Sequence, residues 1–338
     1  MRIPIHINLR QGAASIVILI VLCGVGQAQA FKYSAFLPAG SDQAVPGFIG
    51  ERGDIVGFYY DAQSVLHGFF RAAGGSIFAI DPPGSAGTIA RGIDSAGEVS
   101  GYYMDESFAY HGFLRKSAGQ YVSFDATAAA TLTIPLAANS NGYIVGLFTE
   151  SSGAPLAFLR APKGTITVFG VSGATSTAAV SISDAGEIVG YSIDAKNFQH
   201  GFLRSEIGAT QSFDPPGSAL TGPAAINRAG QIVGFYLDAK QVQHGFLREA
   251  DGTFVSIDPP GSSATNVTAI SPDGVAVGNY QSGGAQHGFL RKADGTIVSF
   301  DPPGSTDTNV FGITCSHEIV GNESSPNGVV RGFVLNTD

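Results

Sequence analysis

Residues 264–303 alternate short apolar runs with turn residues, and the pattern predicts four β-strands. Ala264–Ile270 is a run of small and β-branched residues, followed by the turn Ser271-Pro272-Asp273-Gly274. Residues 275–280 form a second apolar run and 287–291 a third, across a polar loop. Lys292-Ala293-Asp294-Gly295 turns the chain, with glycine available for a left-handed position. Residues 296–301 make the fourth strand, and Pro302-Pro303-Gly304-Ser305 ends the pairing.

The same pattern recurs along the chain. His-Gly-Phe-Leu-Arg starts at His111, His200, His244 and His287, and His-Gly-Phe-Phe-Arg starts at His67. Degenerate copies lie at Leu156 and Arg331, so successive copies are 43 to 45 residues apart. An Ile-Val-Gly phrase or a variant of it ends at Gly57, Gly101, Gly146, Gly190, Gly234, Gly278 and Gly321 with the same period. Four antiparallel strands in about 44 residues is the size of one β-propeller blade. Seven such units account for residues 31–338, which leaves no room for a second domain. The expected fold is all-β: a single seven-bladed β-propeller.

The ends of the repeat are complementary. The last unit stops after three strands, and residues 31–37 align with a fourth strand. Pairing of 31–37 with 330–336 would close the ring and remove both free edges. The repeated phenylalanine (Phe69, Phe113, Phe158, Phe202, Phe246, Phe289 and Phe333) is expected to pack between blades. Each second-strand glycine is expected to let neighbouring sheets approach.

The units read I-N-x-x-G-x-I-V-G-x-Y-x-D-x-x-x-x-x-H-G-F-L-R, as in residues 226–248. This resembles the HAF-type probable extracellular repeat proteins of bacteria, and the resemblance covers residues 31–338. Glycine replaces the middle residue of the H-A-F triplet in most copies, and arginine stands where an aromatic residue often follows, as at Arg248. The resemblance implies export and repetition, and brings no catalytic residues with it.

Residues 1–30 carry the three-part pattern of a secretory signal. Arg2 and Arg10 form a basic start, residues 13–25 an apolar run, and Ala28-Gln29-Ala30 a cleavage site. The expected location is therefore secreted, either extracellular or periplasmic, with no membrane span after cleavage. Glycine is 46 of 338 residues, charged residues are only 13%, and the net charge is −9. Cleavage makes the chain more acidic still, so nucleic acid is not an expected partner. Cys315 is the only cysteine outside the signal, which excludes an intramolecular disulfide. Beside Ile313 it reads as a small core residue.

One polar cluster recurs with the repeat. His67, His111, His200, His244 and His287 precede Asp81, Asp125, Asp214, Asp258 and Asp301 by 14 residues each. Where the histidine is lost, as at Leu156, the aspartate is lost too, as at Gly170. If Arg248 faces Phe254 across the turn, His244 lies opposite Asp258. The second strand adds Asp61, Asp105, Asp194 and Asp238, with Ser282 in the sixth unit. Such a cluster is expected to lock the blade end, much as WD repeats use an Asp–His network. The competing reading is a repeated ligand or cation site, since two carboxylates and an imidazole suit a divalent ion. No calcium-loop pattern accompanies them, and no metal or cofactor is assigned. The arginines Arg71, Arg115, Arg160, Arg204, Arg248 and Arg291 lie at the opposite strand end. They are expected to cap turns or pair with acids such as Glu249 and Asp251.

No nucleophile elbow, zinc-protease helix or phosphate loop occurs. Sialidase-like Asp boxes are absent. The chain has no tryptophan, although Tyr59, Tyr60, Tyr102, Tyr103 and Tyr236 are candidates for sugar stacking. The third unit deviates most, with Thr149, Glu150, Leu156 and Gly170, and loses polarity there. The expectation is a monomeric, non-catalytic binding or scaffold module for an unidentified protein or glycan. The alternative is an exported carbohydrate-active enzyme or lectin-like glycan binder.

Overall fold

The computed structural model describes residues 18–21, 30–151 and 153–337. The predicted export signal lies outside these residues except for Ile18–Val21 and Ala30. Every regular element among the described residues is a β-strand.

The strands pair in the four-stranded antiparallel units that the repeat predicts. In unit 5, Ser218–Ile226, Ile232–Asp238, Gln243–Arg248 and Phe254–Ile257 lie in sequence order. The first strands of units 1 to 4 are Ser41–Ile49, Ser85–Ile93, Ala130–Ala138 and Ala174–Ile182. That of unit 6 is Ala264–Ile270. Units 4, 5 and 6 are separate sheets, whereas one parallel bridge, Tyr110 to Leu132, joins units 2 and 3. Glycine is demanded at the third-to-fourth strand turn, where Gly252 adopts φ +94°.

The C-terminal unit has Asp307–Ile313, Ile319–Ser324 and Val330–Asn336. Its fourth strand is Ala30–Phe36, paired antiparallel from Lys32 opposite Asn336 to Phe36 opposite Gly332. Phe31 and Tyr33 are buried there with Phe300, Val310, Phe333 and Leu335. Ile18–Val21 pairs along the outer edge of the same strand. A parallel bridge from Val330 to Gln43 joins this unit to unit 1.

Burial follows the repeat. All seven copies of the repeated phenylalanine are fully buried. Four meet an aromatic ring of the preceding unit, as Phe36 lies 5.9 Å from Phe69, Phe124 6.2 Å from Phe158, and Phe213 6.4 Å from Phe246, while Phe113 and Phe289 cluster with Ile80 and Ile257 of the preceding unit. Packing between units is thus their role. The second-strand glycine differs from expectation, because its constraint lies within its own unit. A Cβ on Gly190 would overlap the carbonyl oxygen of Ala178 and lie 2.9 Å from the Phe202 ring. The first strand is bulged between Ala179 and Ser181, opposite this glycine.

Candidate functional site

The His–Asp pairs meet as the hairpin register requires. Arg248 faces Phe254 and Gly245 faces Ile257. The next pair outward brings His244 Nδ1 to 2.9 Å from Asp258. The other Nδ1–carboxylate distances are 2.9 Å for His67–Asp81, 2.9 Å for His111–Asp125, 2.7 Å for His200–Asp214 and 2.7 Å for His287–Asp301.

The second-strand aspartates lie on the other side of the ring. Nε2 is 3.3 Å from Asp61 at His67 and 3.3 Å from Asp105 at His111. It is 3.7 Å from Asp194 at His200 and 3.8 Å from Asp238 at His244. Each of these aspartates also holds the turn that follows it. Asp61 Oδ1 accepts from the amides of Gln63 and Val65, and Asp238 Oδ1 from those of Lys240 and Val242. These turns place Ser64, Phe108, Asn197 and Gln241 at positive φ. In unit 6 the turn is Gly283-Gly284, which adopts positive φ without a carboxylate to hold it. Ser282 there offers its backbone carbonyl to His287 Nε2 at 3.3 Å.

Where both nitrogens reach a carboxylate, at His67 and His111, the sandwich favours the imidazolium, the only form that donates from both nitrogens. At His67 and His111 burial pushes the pKa down, but the bonds to both carboxylates outweigh it and the net shift is upward. At His200 and His287 the largest influence is the bond to Asp214 or Asp301, and the net direction is again upward. The second-strand carboxylates move the other way. Asp61 is held low first by the Val65 amide. Asp105 falls to about 2, chiefly through the Ser107 hydroxyl.

Two partners of the cluster escaped the sequence reading. A threonine of the next unit's first strand donates to the fourth-strand aspartate, Thr221 to Asp214 at 2.5 Å and Thr308 to Asp301 at 2.7 Å. Both threonines are fully buried. The signal was present, since Thr88, Thr221, Thr265 and Thr308 each follow the aspartate by seven residues. The hydroxyls of Thr88 and Thr265 are buried without a hydrogen-bond partner. The second partner is a tyrosine two residues before the second-strand aspartate. Tyr59 stacks on His67 with centroids 5.2 Å apart and planes 27° apart, and Tyr236 stacks on His244 at 5.2 Å. Tyr103 lies 5.3 Å from His111 and is buried. One face of each of these candidate sugar platforms is therefore taken by its own histidine.

The two units without histidine substitute differently. In the C-terminal unit Arg331 Nε lies 3.0 Å from Glu323, which is buried and also accepts from the Tyr33 hydroxyl. Burial first, then Glu323, pushes the Tyr33 pKa up. In unit 3, Leu156 lies over Gly170, and Glu150 accepts from Thr127 at 2.7 Å.

At the opposite strand end the arginines do more than cap turns. Nη1 of Arg71, Arg160, Arg248 and Arg291 reaches the next residue's carbonyl at 3.3–3.4 Å. The expected partners Glu249 and Asp251 form no ion pair with Arg248, and Glu249 instead accepts from Gln231 at 2.8 Å. Arg71, Arg115, Arg160, Arg204 and Arg248 lie over Phe36, Phe78, Phe124, Phe169 and Phe213 of the preceding unit, 4.5 to 5.2 Å from the ring centroids. The side chain crosses the unit boundary and rests on an aromatic face of the neighbouring unit.

Cys315 corrects a second expectation. It is exposed, because it lies one residue into the turn that Thr314 and Glu318 close, beyond the end of the strand. Its amide donates to Glu51 at 2.9 Å, and the nearby Glu51 carboxylate pushes its thiol pKa up.

Among the described residues no group of three or more His, Cys, Asp or Glu side chains is arranged to hold a metal ion. No helix among them is long and apolar enough to cross a membrane. No family model matches the chain, and no curated protein sequence does. Solved structures do. Virginiamycin B lyase from Staphylococcus aureus aligns over 90% of this chain and 99% of its own, with a TM-score of 0.58 at 14% identity. The β-propeller domain of the Trilobed protease from Pyrococcus furiosus aligns over 87% and 95%, with a TM-score of 0.62 at 10% identity. The BP39L lectin from Burkholderia pseudomallei aligns over 88% and 98%, with a TM-score of 0.54 at 13% identity. At these identities the likeness is one of architecture: this chain is an all-β protein with a β-propeller fold.

Proposed function

We propose that the chain is an exported, monomeric, seven-bladed propeller that acts as a non-catalytic binding or scaffold module for a protein or glycan. Closure is supported by contacts between successive first strands, the last of which, Asp307–Ile313, also touches Ser41–Ile49. The Phe36–Phe69 and Cys315–Glu51 contacts cross the same seam. Cleavage after Ala30 would remove Ile18–Val21 and keep the pairing from Lys32 onward. The likeness to HAF-type repeat proteins belongs to the same reading.

One observation carries the functional part. The most chemically capable residues of the repeat are consumed by contacts within and between units. The histidines face carboxylates, the second-strand aspartates hold turn amides, and Asp214 and Asp301 also bind buried threonines. Residues tied up in such contacts fix the ends of strands and leave recognition of a partner to other parts of the chain. A glycan array together with a panel of polysaccharide hydrolase and lyase assays on the purified protein tests this. Binding without turnover is expected. Turnover of any polysaccharide would overturn it in favour of a carbohydrate-active enzyme.

A further inference from the structure

Each first strand carries a bulge, and the extra residue has no cross-strand partner. These extra residues line a single cavity of about 400 Å³ between the first strands. Gly47 puts no side chain there, and Leu136, Val180, Ala224, Thr268 and Phe311 make an apolar or weakly polar wall. The remaining bulge residue is Arg91.

Arg91 departs from the repeat at a bulge position that is uncharged in the other six strands. Its Nε is buried and has no hydrogen-bond partner, and the side chain forms no ion pair among the described residues. Arg71, Arg160 and Arg248, third-strand arginines whose Nε is also buried, rest on aromatic rings and cap carbonyls, whereas Arg91, on a first strand, does neither. The carboxylates that line the same cavity are already engaged. Asp94 accepts from the Ala96 and Glu98 amides, Asp54 from the Ala73 amide, Asp184 from Ser140, and Glu51 from the Cys315 amide. Arg52 and Arg228 add two exposed guanidinium groups to the lining of this acidic protein. Arg91 is half-buried at the cavity wall, and a guanidinium there with no internal acceptor is free to take one from a ligand.

We propose that this cavity binds a small organic carboxylate, with the carboxylate on Arg91 and an apolar body against Leu136, Val180 and Phe311. A guanidinium fork matches a carboxylate in two parallel hydrogen bonds, and the apolar wall contributes through burial. The cavity is of the size that encloses a small molecule. This deepens the binding-module reading and rests on it.

The test is calorimetric titration of the purified chain with phenylbutyrate, its amide, octanoate and inorganic phosphate. The variants are Arg91→Leu, Arg91→Lys and Phe311→Ala. Phenylbutyrate or octanoate is expected to bind, the amide at least about tenfold more weakly, and Arg91→Leu to lose at least about tenfold in affinity. Arg91→Lys should recover part of that loss, and Phe311→Ala should weaken phenylbutyrate most. Arg91→Leu should melt no lower than the wild type, because it breaks no internal bond. Three results overturn the proposal: no binding of either carboxylate, equal affinity for the amide, or unchanged affinity in Arg91→Leu. Phosphate binding as tight as phenylbutyrate also overturns it, since the apolar wall would then contribute nothing. Polysaccharide turnover by Arg91→Leu as well as by wild type would sink the non-catalytic reading separately.

Discussion

Replacing Asp214 should destabilise the protein more than replacing the histidine it holds. Asp214 accepts from His200 at 2.7 Å within its own unit and from Thr221 at 2.5 Å in the next. The Thr221 hydroxyl is fully buried, so Asp214→Ala leaves it orphaned at a cost of about 1–3 kcal/mol. His200 and Asp214 are 35% and 36% exposed, and solvent screens their pair to about 0.5–1 kcal/mol. Asp214→Ala should therefore lose about 2–3 kcal/mol and His200→Ala about 1 kcal/mol. The double variant should resemble Asp214→Ala, leaving a coupling of roughly 0.5–1 kcal/mol. Asp214→Asn keeps an acceptor for Thr221 and should fall between the two single variants.

The pH dependence separates the two bonds. The Asp214 bond raises the His200 pKa above its ordinary 6.5, so the folded state holds the proton more tightly than the unfolded one. The histidine's contribution is then complete below pH 6.5 and is lost as pH rises through the folded value. Denaturant melts of wild type and His200→Ala should differ most near pH 5.5 and converge by about pH 9. The Asp214→Ala deficit should persist at that pH, because the Thr221 bond does not titrate. A His200→Ala deficit that grows with pH, or an Asp214→Ala deficit no larger than that of His200→Ala, would refute the argument.

Other outcomes follow from single contacts. Gly190→Ala should cost more than about 3 kcal/mol or prevent folding, because its Cβ would overlap the Ala178 carbonyl; expression yield and melting midpoint read this. Arg204→Lys preserves charge yet should lose about 0.5–1 kcal/mol, since lysine cannot stack flat on Phe169 at 4.5 Å; a melt equal to wild type would oppose this. Deleting residues 31–37 should expose the Val330–Asn336 edge and cause aggregation that a synthetic 31–37 peptide relieves, as followed by light scattering. Glu51→Gln should speed alkylation of Cys315 at pH 7.5, measured by peptide mass mapping, because Glu51 holds the thiol pKa up.

The repeat made the architecture legible. A period near 44 residues set the unit, and the half-units at the ends pointed to the pairing of Lys32 with Asn336. The His–Asp contacts were legible for the same reason: two positions gained and lost together, at a separation that a hairpin register explains. Pairings between units were harder to read. The stacking of Arg204 on Phe169 joins two units, and nothing in the local pattern links an arginine to an aromatic ring 35 residues earlier. Cys315 failed for a smaller reason, since strand ends shift by a residue and exposure changes with them.

A repeat protein divides its information between what recurs and what departs from recurrence. Positions that recur, such as the Phe202 ring or the His200–Asp214 pair, answer a need that every unit shares, which is packing against its neighbours. A partner or ligand, by contrast, meets the ring at one place and requires no such symmetry. Departures are therefore the informative residues, provided they gain chemistry. Leu156 and Gly170 depart by losing polar groups and fill the gap with an apolar contact. Arg331 and Glu323 depart by exchanging one ion pair for another, opposite each other on adjacent strands. Arg91 departs by adding a charge that forms no ion pair among the described residues, at the bulge where six other strands add none. By that criterion the cavity between the first strands, rather than the repeated histidines, is the place at which the proposed recognition is to be tested.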